Sequence, residues 1–305
     1  MKKVLFIGST VADVIIHIDR MPRTAEDVNV SSQTTRLGGC AYNAFHACQL
    51  FDVPAILFSP IGTGVYGDFV RKAFDERGIQ SPIPPVNRDN GCCYCFIEPS
   101  GERTFICHQE AEYYFEAEWF DLVNQSELAG VYVCGLEIHD KSTAGNIVTF
   151  LEPLHDIPIY FAPSPHICEI DNTMMARILA CHPILHVNER EATSFAKKLA
   201  HLHGDPEPAS IEDAAQVLQK QTSNTVIITL GAAGALLCEK GKRTHIPGLP
   251  AKQVDTTGAG DSHIGSIIAR RYLGDSFADA VAVANRVSAA VVEHVGAQIE
   301  ELPFA

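Results

Sequence analysis

Val254-Asp255-Thr256-Thr257-Gly258-Ala259-Gly260-Asp261, which continues as SHIGSIIARRYL, is the most informative stretch of this chain. Gly258 and Gly260 allow a tight turn, and the residues from Asp261 onward are apolar at helical spacing. A glycine-rich turn that leads into a helix presents free N–H groups and the positive end of the helix dipole, which stabilise a phosphoryl group. Asp261 can accept a proton from an attacking hydroxyl. The alternative is a plain loop in which Asp261 caps the helix.

Short apolar runs alternate with helix-length amphipathic stretches over most of the chain. The runs are 4–8, 55–61, 130–135, 157–162, 184–188 and 225–231, each bounded by Gly, Pro or Asn. This alternation predicts βαβ units, and therefore a mainly parallel sheet with helices on both faces.

Two segments, 13–37 and 91–115, instead alternate polar and apolar residues without an intervening helix. In the second, CYCFIEP and RTFICHQ flank Pro99-Ser100-Gly101-Glu102, which predicts a hairpin. We expect these segments to form a small antiparallel sheet that closes as a lid over a ligand and excludes water. An extension of the main sheet is the alternative. Without repeats or a low-complexity linker, the prediction is a single domain over 1–305.

The charge balance excludes some classes of partner. The 305 residues include 37 Asp and Glu against 23 Lys and Arg, for a net charge of -14. Such a surface repels nucleic acid and anionic lipid. No apolar run approaches the roughly 18 residues of a membrane span, and the first apolar run is too short for a signal peptide. We therefore expect a cytoplasmic protein.

The ten cysteines do not show metal-site spacing. Cys92, Cys93 and Cys95 alternate within CCYCFIE as a strand would, and no second Cys or His pair follows at zinc-site spacing. We interpret them as reduced thiols that act as small hydrophobic side chains.

The glycine turn and several markers before it resemble one known family. DTTGAGDSHIG resembles the C-terminal signature of the ribokinase, or PfkB, family of carbohydrate and nucleoside kinases, and the resemblance covers essentially the whole chain. LGGCAYNA at 37–44 resembles the family's substrate-side glycine pair and following asparagine. NERE at 188–191 and TLG at 229–231 resemble its Asn-x-x-Glu motif and nucleotide-side turn. The implied fold is ribokinase-like, a three-layer α/β/α arrangement with a β lid.

The resemblance implies transfer of the γ-phosphoryl group of ATP to a hydroxyl of a sugar. Asp261 is then the general base, and the amides of Gly258, Ala259, Gly260 and Asp261 form the anion hole. A nucleoside, such as a ribonucleoside or pseudouridine, is the alternative acceptor. The chain differs from the family pattern at Cys40, so no particular sugar is implied. A non-catalytic sugar-binding paralogue is a further alternative, although retention of Asp261 argues against it.

Five residues are candidates on the substrate side, four from the resemblance and Glu137 from its position after a strand. Asp13 and Asn43 would bind substrate hydroxyls, and Gly38 and Gly39 would allow close backbone approach. Glu137 follows a strand and would reach the cleft at the carboxyl edge of the sheet. The alternatives are that Asp13 is a turn residue and Asn43 a helix cap. Gly38 and Gly39 could form only a tight turn, and Glu137 could be a solvated surface carboxylate.

On the nucleotide side, the resemblance implies that Asn188 and Glu191 hold Mg²⁺, partly through water. Asn188 also counts as an ATP-binding residue, together with Thr229, Gly231 and Asn285. A helix cap with a first-turn carboxylate is the alternative for the first pair, and plain helix surface for Asn285.

The resemblance also implies a K⁺ site and a mode of assembly. Asp255 and Thr257, with the loop 295–297, resemble a monovalent-cation site, and many relatives dimerise by pairing their lids. A sugar or nucleoside is the expected small-molecule partner.

One motif favours a different enzyme. Gly62-Thr63-Gly64-Val65-Tyr66-Gly67 is a literal G-x-G-x-x-G between a strand and a helix, followed about 22 residues later by Asp89. It lies on the second βα unit, and Asp89 lies in a loop rich in Pro, Asn and Gly. An NAD-dependent dehydrogenase is the corresponding alternative.

Overall fold

The computed structural model describes residues 1–100, 102–139 and 143–304. Within these residues the strands are, in chain order, β1 (Lys3–Ile7), β2 (Val11–Ile18), β3 (Val30–Gly38), β4 (Ala55–Phe58), β5 (Cys92–Ile97), β6 (Arg103–His108), β7 (Leu128–Cys134), β8 (Ile159–Ala162), β9 (Ile184–Asn188), β10 (Val226–Thr229), β11 (Gly234–Glu239) and β12 (Lys242–Pro247). The helices are α1 (Cys40–Gln49), α2 (Val65–Arg77), α3 (Leu136–His139), α4 (Ala144–Leu151), α5 (Asn172–Ala180), α6 (Glu189–His203), α7 (Ile211–Thr222), α8 (Ala259–Tyr272) and α9 (Phe277–Val291). No helix among the described residues has the length and apolar character needed to cross a bilayer.

The main sheet has the strand order β12-β11-β10-β9-β8-β7-β1-β4 in the described part of the chain. Strands β4, β1, β7, β8, β9 and β10 pair in parallel, whereas β11 and β12 add an antiparallel edge. The six apolar runs of the sequence are the six parallel strands. The prediction of a mainly parallel sheet is confirmed.

Both faces of the main sheet are covered, as β1 illustrates. Leu5 and Ile7 belong to one hydrophobic cluster, and Val4 and Phe6 to a second one. Because successive side chains of a strand point to opposite faces, β1 is buried on both sides. Helices α4 to α7 contribute to the first cluster, and helices α1, α2, α8 and α9 to the second. Each fully buried aliphatic side chain contributes about 1.5–3 kcal/mol, so the two clusters hold the three layers together.

A second sheet, which we call the lid sheet, has the order β3-β2-β5-β6 in the described residues. It is separate from the main sheet, so the alternative of a sheet extension is wrong. Strands β5 and β6 pair in antiparallel register, as the hairpin prediction requires, and so do β2 and β3. Strands β2 and β5 pair in parallel, so the prediction of an antiparallel sheet is wrong for the central pair. Gly101, in the predicted turn, lies outside the described residues. The predicted three-layer α/β/α arrangement with a separate small sheet is confirmed. The single domain over 1–305 stays a prediction.

Candidate active site

Asp261 lies in the first turn of α8, directly after the glycine turn. Gly258 caps this helix in the left-handed conformation, with φ of 70°. A Cβ at position 258 would lie 2.3 Å from the Cβ of Ala297. Glycine is therefore needed here both for its conformation and for its small size.

The N–H groups of the glycine turn differ in whether they are free to bind an anion. The Ala259 N–H donates to the carbonyl of Thr256 at 3.3 Å. The early amides of a helix have no partner within the helix, and those of Gly260 and Asp261 follow next in the turn. An anion hole at this turn stays a prediction, and these two amides are its strongest candidates.

Asn43 is positioned against Asp261 by close packing of two helices. Helix α1 carries Asn43 in its first turn, and its Nδ2 donates to Asp261 Oδ2 at 3.0 Å. Further along, a Cβ on Gly265 of α8 would lie 2.2 Å from the carbonyl oxygen of Ala44. The absence of a side chain at Gly265 therefore lets α1 and α8 approach closely enough for the two polar side chains to meet.

Gln298 fixes the orientation of the Asn43 amide, and no sequence pattern points to this residue. Its Nε2 donates to Asn43 Oδ1 at 2.9 Å and to the carbonyl of Leu37 at 3.0 Å. Because Asn43 Oδ1 accepts from Gln298, Nδ2 is the group directed at Asp261. No motif contains Gln298, since it lies at the chain end and acts through another side chain.

The environment of Asp261 disfavours its charged form. Burial, opposed by the hydrogen bonds from Asn43 and Cys40 and supported by the negative charge of Glu191, raises the pKa of Asp261 to about 6. A carboxylate with a pKa of about 6 is largely ionised at neutral pH yet more basic than an ordinary aspartate. This combination suits a general base.

Asp13, on β2 of the lid sheet, faces the same space. A Cβ on Gly38 would lie 1.9 Å from Asp13 Oδ2, so Gly38 makes room for this carboxylate. Burial raises the pKa of Asp13 to about 7, and the negative charges of Cys107, Asp261 and Asp255 add to the effect. The two aspartates are therefore near enough to interact.

A cavity of about 910 Å³ lies between the lid sheet and the main body. Several residues that the sequence assigned to the site line it: Asp13, Gly39, Asn43, Asp255, Thr257, Gly258 and Asp261. Its volume is near the upper end of the usual range for small-ligand sites, roughly 300–1,000 Å³. The structure thus brings the candidate base and most of the candidate substrate residues into one cavity.

Gly39 and Glu137 both lie against Ser9, a residue of the cavity wall. A Cβ on Gly39 would lie 2.5 Å from the carbonyl oxygen of Ser9, and its φ is 101°. Glu137 has 0% exposure, and its Oε1 accepts the Ser9 N–H at 2.7 Å. Burial raises the pKa of Glu137 to about 7. The alternative of a solvated surface carboxylate is therefore wrong, because Glu137 is enclosed and holds Ser9, which itself lines the cavity.

Asn188 and Glu191 form a capping box at the start of α6. Asn188 Oδ1 accepts the Glu191 N–H at 2.8 Å, and Glu191 Oε2 accepts the Asn188 N–H at 3.0 Å. The capping alternative is thus present in the structure. Glu191 Oε1 is not used by the box, and Mg²⁺ needs few protein ligands. The described residues contain no cluster of three or more His, Cys, Asp or Glu side chains suited to a metal, so Mg²⁺ would depend on phosphate and water oxygens as well.

The other predicted nucleotide residues lie in two places. Thr229 pairs with Asn188 in register at the carboxyl ends of β10 and β9, and Gly231 follows in a short turn with φ of 57°. Asn285 is buried instead. Its Oδ1 contacts His263 Nε2 at 3.0 Å, and its Nδ2 donates to the carbonyl of Pro247 at 3.0 Å. Contact with adenine stays a prediction, but the polar groups of Asn285 are already paired, and exposed helix surface is wrong.

Asp255 has partners that the sequence did not reveal. Its carboxylate forms an ion pair with Arg103 of the lid sheet and accepts the N–H groups of Thr257 and Gly296, each at 2.8 Å. Arg103 belongs to no motif, and only the folded chain brings it to Asp255.

The G-x-G-x-x-G segment is closed by its own acidic residue. Asp89 Oδ1 accepts the N–H of Gly67 at 2.7 Å, and a Cβ on Gly64, which caps α2, would lie 2.5 Å from the Asp89 carboxyl carbon. The helix start that would bind a pyrophosphate therefore already holds a carboxylate. This placement argues against the dehydrogenase alternative.

Comparisons with known proteins identify the family of this chain. The family model for pfkB family carbohydrate kinases matches residues 1–304. An Escherichia coli (strain K12) protein described as the uncharacterized sugar kinase YegV is 31% identical over 296 residues, covering 97% of this chain and 90% of that protein. The resemblance stated from the motifs is confirmed.

Two solved structures show the same fold. Adenosine kinase from Sinorhizobium meliloti superposes with a TM-score of 0.81 at 18% identity, covering 99% of this chain and 97% of that one. Arabidopsis thaliana ribokinase complexed with ribose and ATP superposes with a TM-score of 0.78 at 20% identity, covering 97% and 94%. At these identities the likeness establishes the fold.

Proposed function

Because this chain belongs to the pfkB family of carbohydrate kinases, we propose that it transfers the γ-phosphoryl group of ATP to a hydroxyl of a sugar, with Asp261 as the general base. The chain is a phosphotransferase that acts on a hydroxyl group, as members of this family are. The observation that carries the proposal is that Asp261, at the start of α8, shares one cavity with Asp13 and Asn43.

Asp261 would take the proton of the attacking hydroxyl as the new oxygen–phosphorus bond forms. The bond between the γ-phosphorus and the bridging oxygen breaks, and ADP leaves with that electron pair. The carboxylate must be ionised to act, and its pKa of about 6 leaves it so at neutral pH. The N–H groups at the start of α8 would stabilise the charge on the phosphoryl oxygens.

The remaining cavity residues would orient the acceptor. Asp13 offers two acceptor oxygens to sugar hydroxyls, and Asn43 holds the Asp261 carboxylate in place. The lid sheet covers the cavity and would exclude water, which limits transfer of the phosphoryl group to water.

Different observations support ATP as the donor and Mg²⁺ as its counterion. The solved ribokinase structure from Arabidopsis holds ATP, which supports the same donor here. Glu191 and Asn188 would hold Mg²⁺ with phosphate and water oxygens, and the ion would supply positive charge to the phosphates when bound. Thr229 and Gly231, beside Asn188, would line the nucleotide side of the cleft.

A nucleoside is the second candidate for the acceptor. The cavity of about 910 Å³ is large for a single sugar ring, and the aromatic side chains of Phe69, Phe105 and Tyr113 line it. Such rings stack on a base. The adenosine kinase with the same fold acts, by its name, on a nucleoside.

The test is a screen for acceptor-dependent release of ADP with Mg²⁺ and ATP, across free sugars and nucleosides. The proposal requires a sugar acceptor, and Asp261→Asn should then lower kcat by about 10²- to 10⁴-fold while ATP binding is retained. The matched control is Asp75→Asn, which removes an exposed carboxylate from α2 and should leave turnover unchanged. Turnover with nucleosides only would select the second candidate, and full activity of Asp261→Asn would reject the base.

Assembly and location form a separate proposal. We propose a cytoplasmic homodimer that pairs through its lid sheets, since Val30 and Ile106, on its edge strands, are 49% and 53% exposed. Sedimentation analysis tests this idea, and Ile106→Lys should shift a dimer toward monomer. A wild-type monomer at all concentrations would reject it.

A further inference from the structure

Two arginines of the lid sheet bind the loops beside the glycine turn. Arg103, the first residue of β6, forms an ion pair with Asp255 and donates from Nη2 to the carbonyl of Val254 at 3.3 Å. Arg36, on β3, donates from Nη1 to the carbonyl of Val295 at 2.7 Å. A guanidinium group from the lid sheet is therefore bound to each of the two loops.

These are the loops at which the family resemblance implies a K⁺ ion. Such an ion would need oxygens from Asp255 and from neighbouring carbonyls. Asp255 Oδ1 already binds Arg103 and the N–H of Thr257, and Oδ2 accepts the N–H of Gly296. The carbonyl of Val295 is occupied by Arg36. The Asp255 carboxylate and the Val295 carbonyl, two oxygen groups that such an ion would use, are therefore already paired with N–H groups, and this pairing does not suit a metal ion.

Aspartate side chains give the cavity wall negative charge. Asp13, Asp255 and Asp261 all line the cavity, and the charges of the last two help to raise the pKa of the first. An incoming phosphoryl group is negative and needs a compensating positive charge. The ion pair of Arg103 with Asp255 is mostly enclosed, with side-chain exposures of 16% and 5%, so it is weakly screened by solvent.

We infer that the guanidinium groups of Arg103 and Arg36 take the place of a monovalent cation, so that this protein has no requirement for K⁺. The anion-binding turn is then complete only when the lid sheet is in place. Arg103 is a positioning residue, since it acts through the Asp255 carboxylate, which holds the N–H of Thr257 next to Gly258. The role in catalysis rests on the proposed kinase function, whereas the cation preference does not.

Thermal unfolding at constant ionic strength in KCl, NaCl and choline chloride tests the cation preference without any substrate. The Tm of the wild type should be the same in all three salts. Arg103→Ala should lower the Tm by about 5 °C or more in choline, because Asp255 is left buried without its partner, and K⁺ should restore part of the loss. A K⁺-specific rise in the wild-type Tm, or no K⁺ response in Arg103→Ala, would overturn the inference.

Arg20→Ala is the matched control. Arg20 is also an arginine next to the lid sheet, but it is exposed and pairs with Glu26, away from the two loops. Its loss should change the Tm little and should create no response to K⁺. A K⁺ response in Arg20→Ala as large as in Arg103→Ala would also count against the inference.

A kinetic arm uses the acceptor found in the screen. Wild-type kcat should not depend on which of the three salts is present. In choline, Arg103→Ala should lower kcat by about 10- to 100-fold, since the turn beside Asp261 is displaced. If no acceptor is phosphorylated but the unfolding results are as expected, the proposed function fails and the cation inference stands. If phosphorylation depends on K⁺, the inference fails and the kinase stands.

Discussion

Removal of the Asn43 amide should change the pH at which this enzyme becomes active. Asn43 Nδ2 donates to Asp261 Oδ2 at 3.0 Å, and this bond lowers the pKa of Asp261 against the effect of burial. Asn43→Leu keeps the volume of the side chain but removes the donor. A hydrogen bond to a charged group contributes about 1.5–3 kcal/mol, and one pKa unit corresponds to about 1.4 kcal/mol. The pKa of Asp261 should therefore rise from about 6 to about 7 or 8.

The assay is the dependence of kcat/KM on pH, which reports the ionisation of the free enzyme. Asp261 must be ionised to act as the base, so the acid limb of the profile should move by the same one to two units, roughly. At pH 6.5 the ionised fraction would fall by about 3- to 25-fold, whereas at pH 9 it would nearly recover. A loss of substrate contact alone would lower kcat/KM equally at every pH.

Two further variants make this prediction specific. Gln298→Leu should move the acid limb in the same direction by a smaller amount, because the Asn43 amide is then free to rotate. Asp13→Asn removes the other cavity aspartate whose pKa is raised, and the shift caused by Asn43→Leu should persist in that background. An acid limb that stays in place in a folded Asn43→Leu protein would refute the assignment of Asp261 as the titrating base.

Three other predictions concern stability and thiol chemistry. The pKa of Asp13 in the folded protein, about 7, lies above its usual value of 3.8. The stability that Asp13 contributes is therefore present below pH 4 and is lost as the pH rises through 7. Asp13→Asn should raise the free energy of unfolding at pH 8 by about 1–3 kcal/mol in denaturant titration and leave it unchanged at pH 4. Asn285→Leu removes the contact with His263 Nε2 and the hydrogen bonds to the carbonyls of Ile246 and Pro247. It should cost about 2–4 kcal/mol of stability in the same assay, whereas a residue whose main role is adenine contact would change only the KM for ATP. Cys93 and Cys107 face each other across β5 and β6 with their Sγ atoms 3.1 Å apart. Glutathione disulfide should therefore oxidise them to an intramolecular disulfide, which mass spectrometry detects as the loss of two hydrogen atoms. A glutathione adduct on the wild type without this loss would contradict the prediction.

The parallel part of the main sheet could be predicted from the sequence because each strand is an apolar run followed by a helix. The antiparallel edge was missed, although it had a signal. Strands β11 and β12 are joined by Lys240 and Gly241, both with positive φ, at 51° and 77°. Two such residues form the tight turn of a β-hairpin. Lysine at the first position hides this turn, since Asn or Asp is the usual residue there.

The glycine turn and Asp261 could also be predicted from the sequence, because a turn, a helix start and a carboxylate are adjacent there. The partners of Asp261 were not. Asn43 meets it across 218 positions, and the contact depends on Gly265, which looks like any helical glycine until α1 is seen against it. Gln298 and Arg103 each act through contacts with residues far away in the sequence, and such contacts leave no periodic pattern.

The three aspartates that line the cavity, Asp13, Asp255 and Asp261, make closure of the lid sheet depend on whether a ligand is bound. Burial is the largest cause of the raised pKa of both Asp13 and Asp261, so the arrangement with the lid sheet over the cavity opposes their ionisation. By linkage, the same free energy disfavours this covered arrangement increasingly as the pH rises from about 4 through 7. Hydroxyl groups of an acceptor would replace the lost water around these carboxylates, and the ion pair of Arg103 with Asp255 offsets one of the three charges. We therefore expect the lid sheet to close most firmly when an acceptor is bound, which is also when exclusion of water protects ATP from hydrolysis.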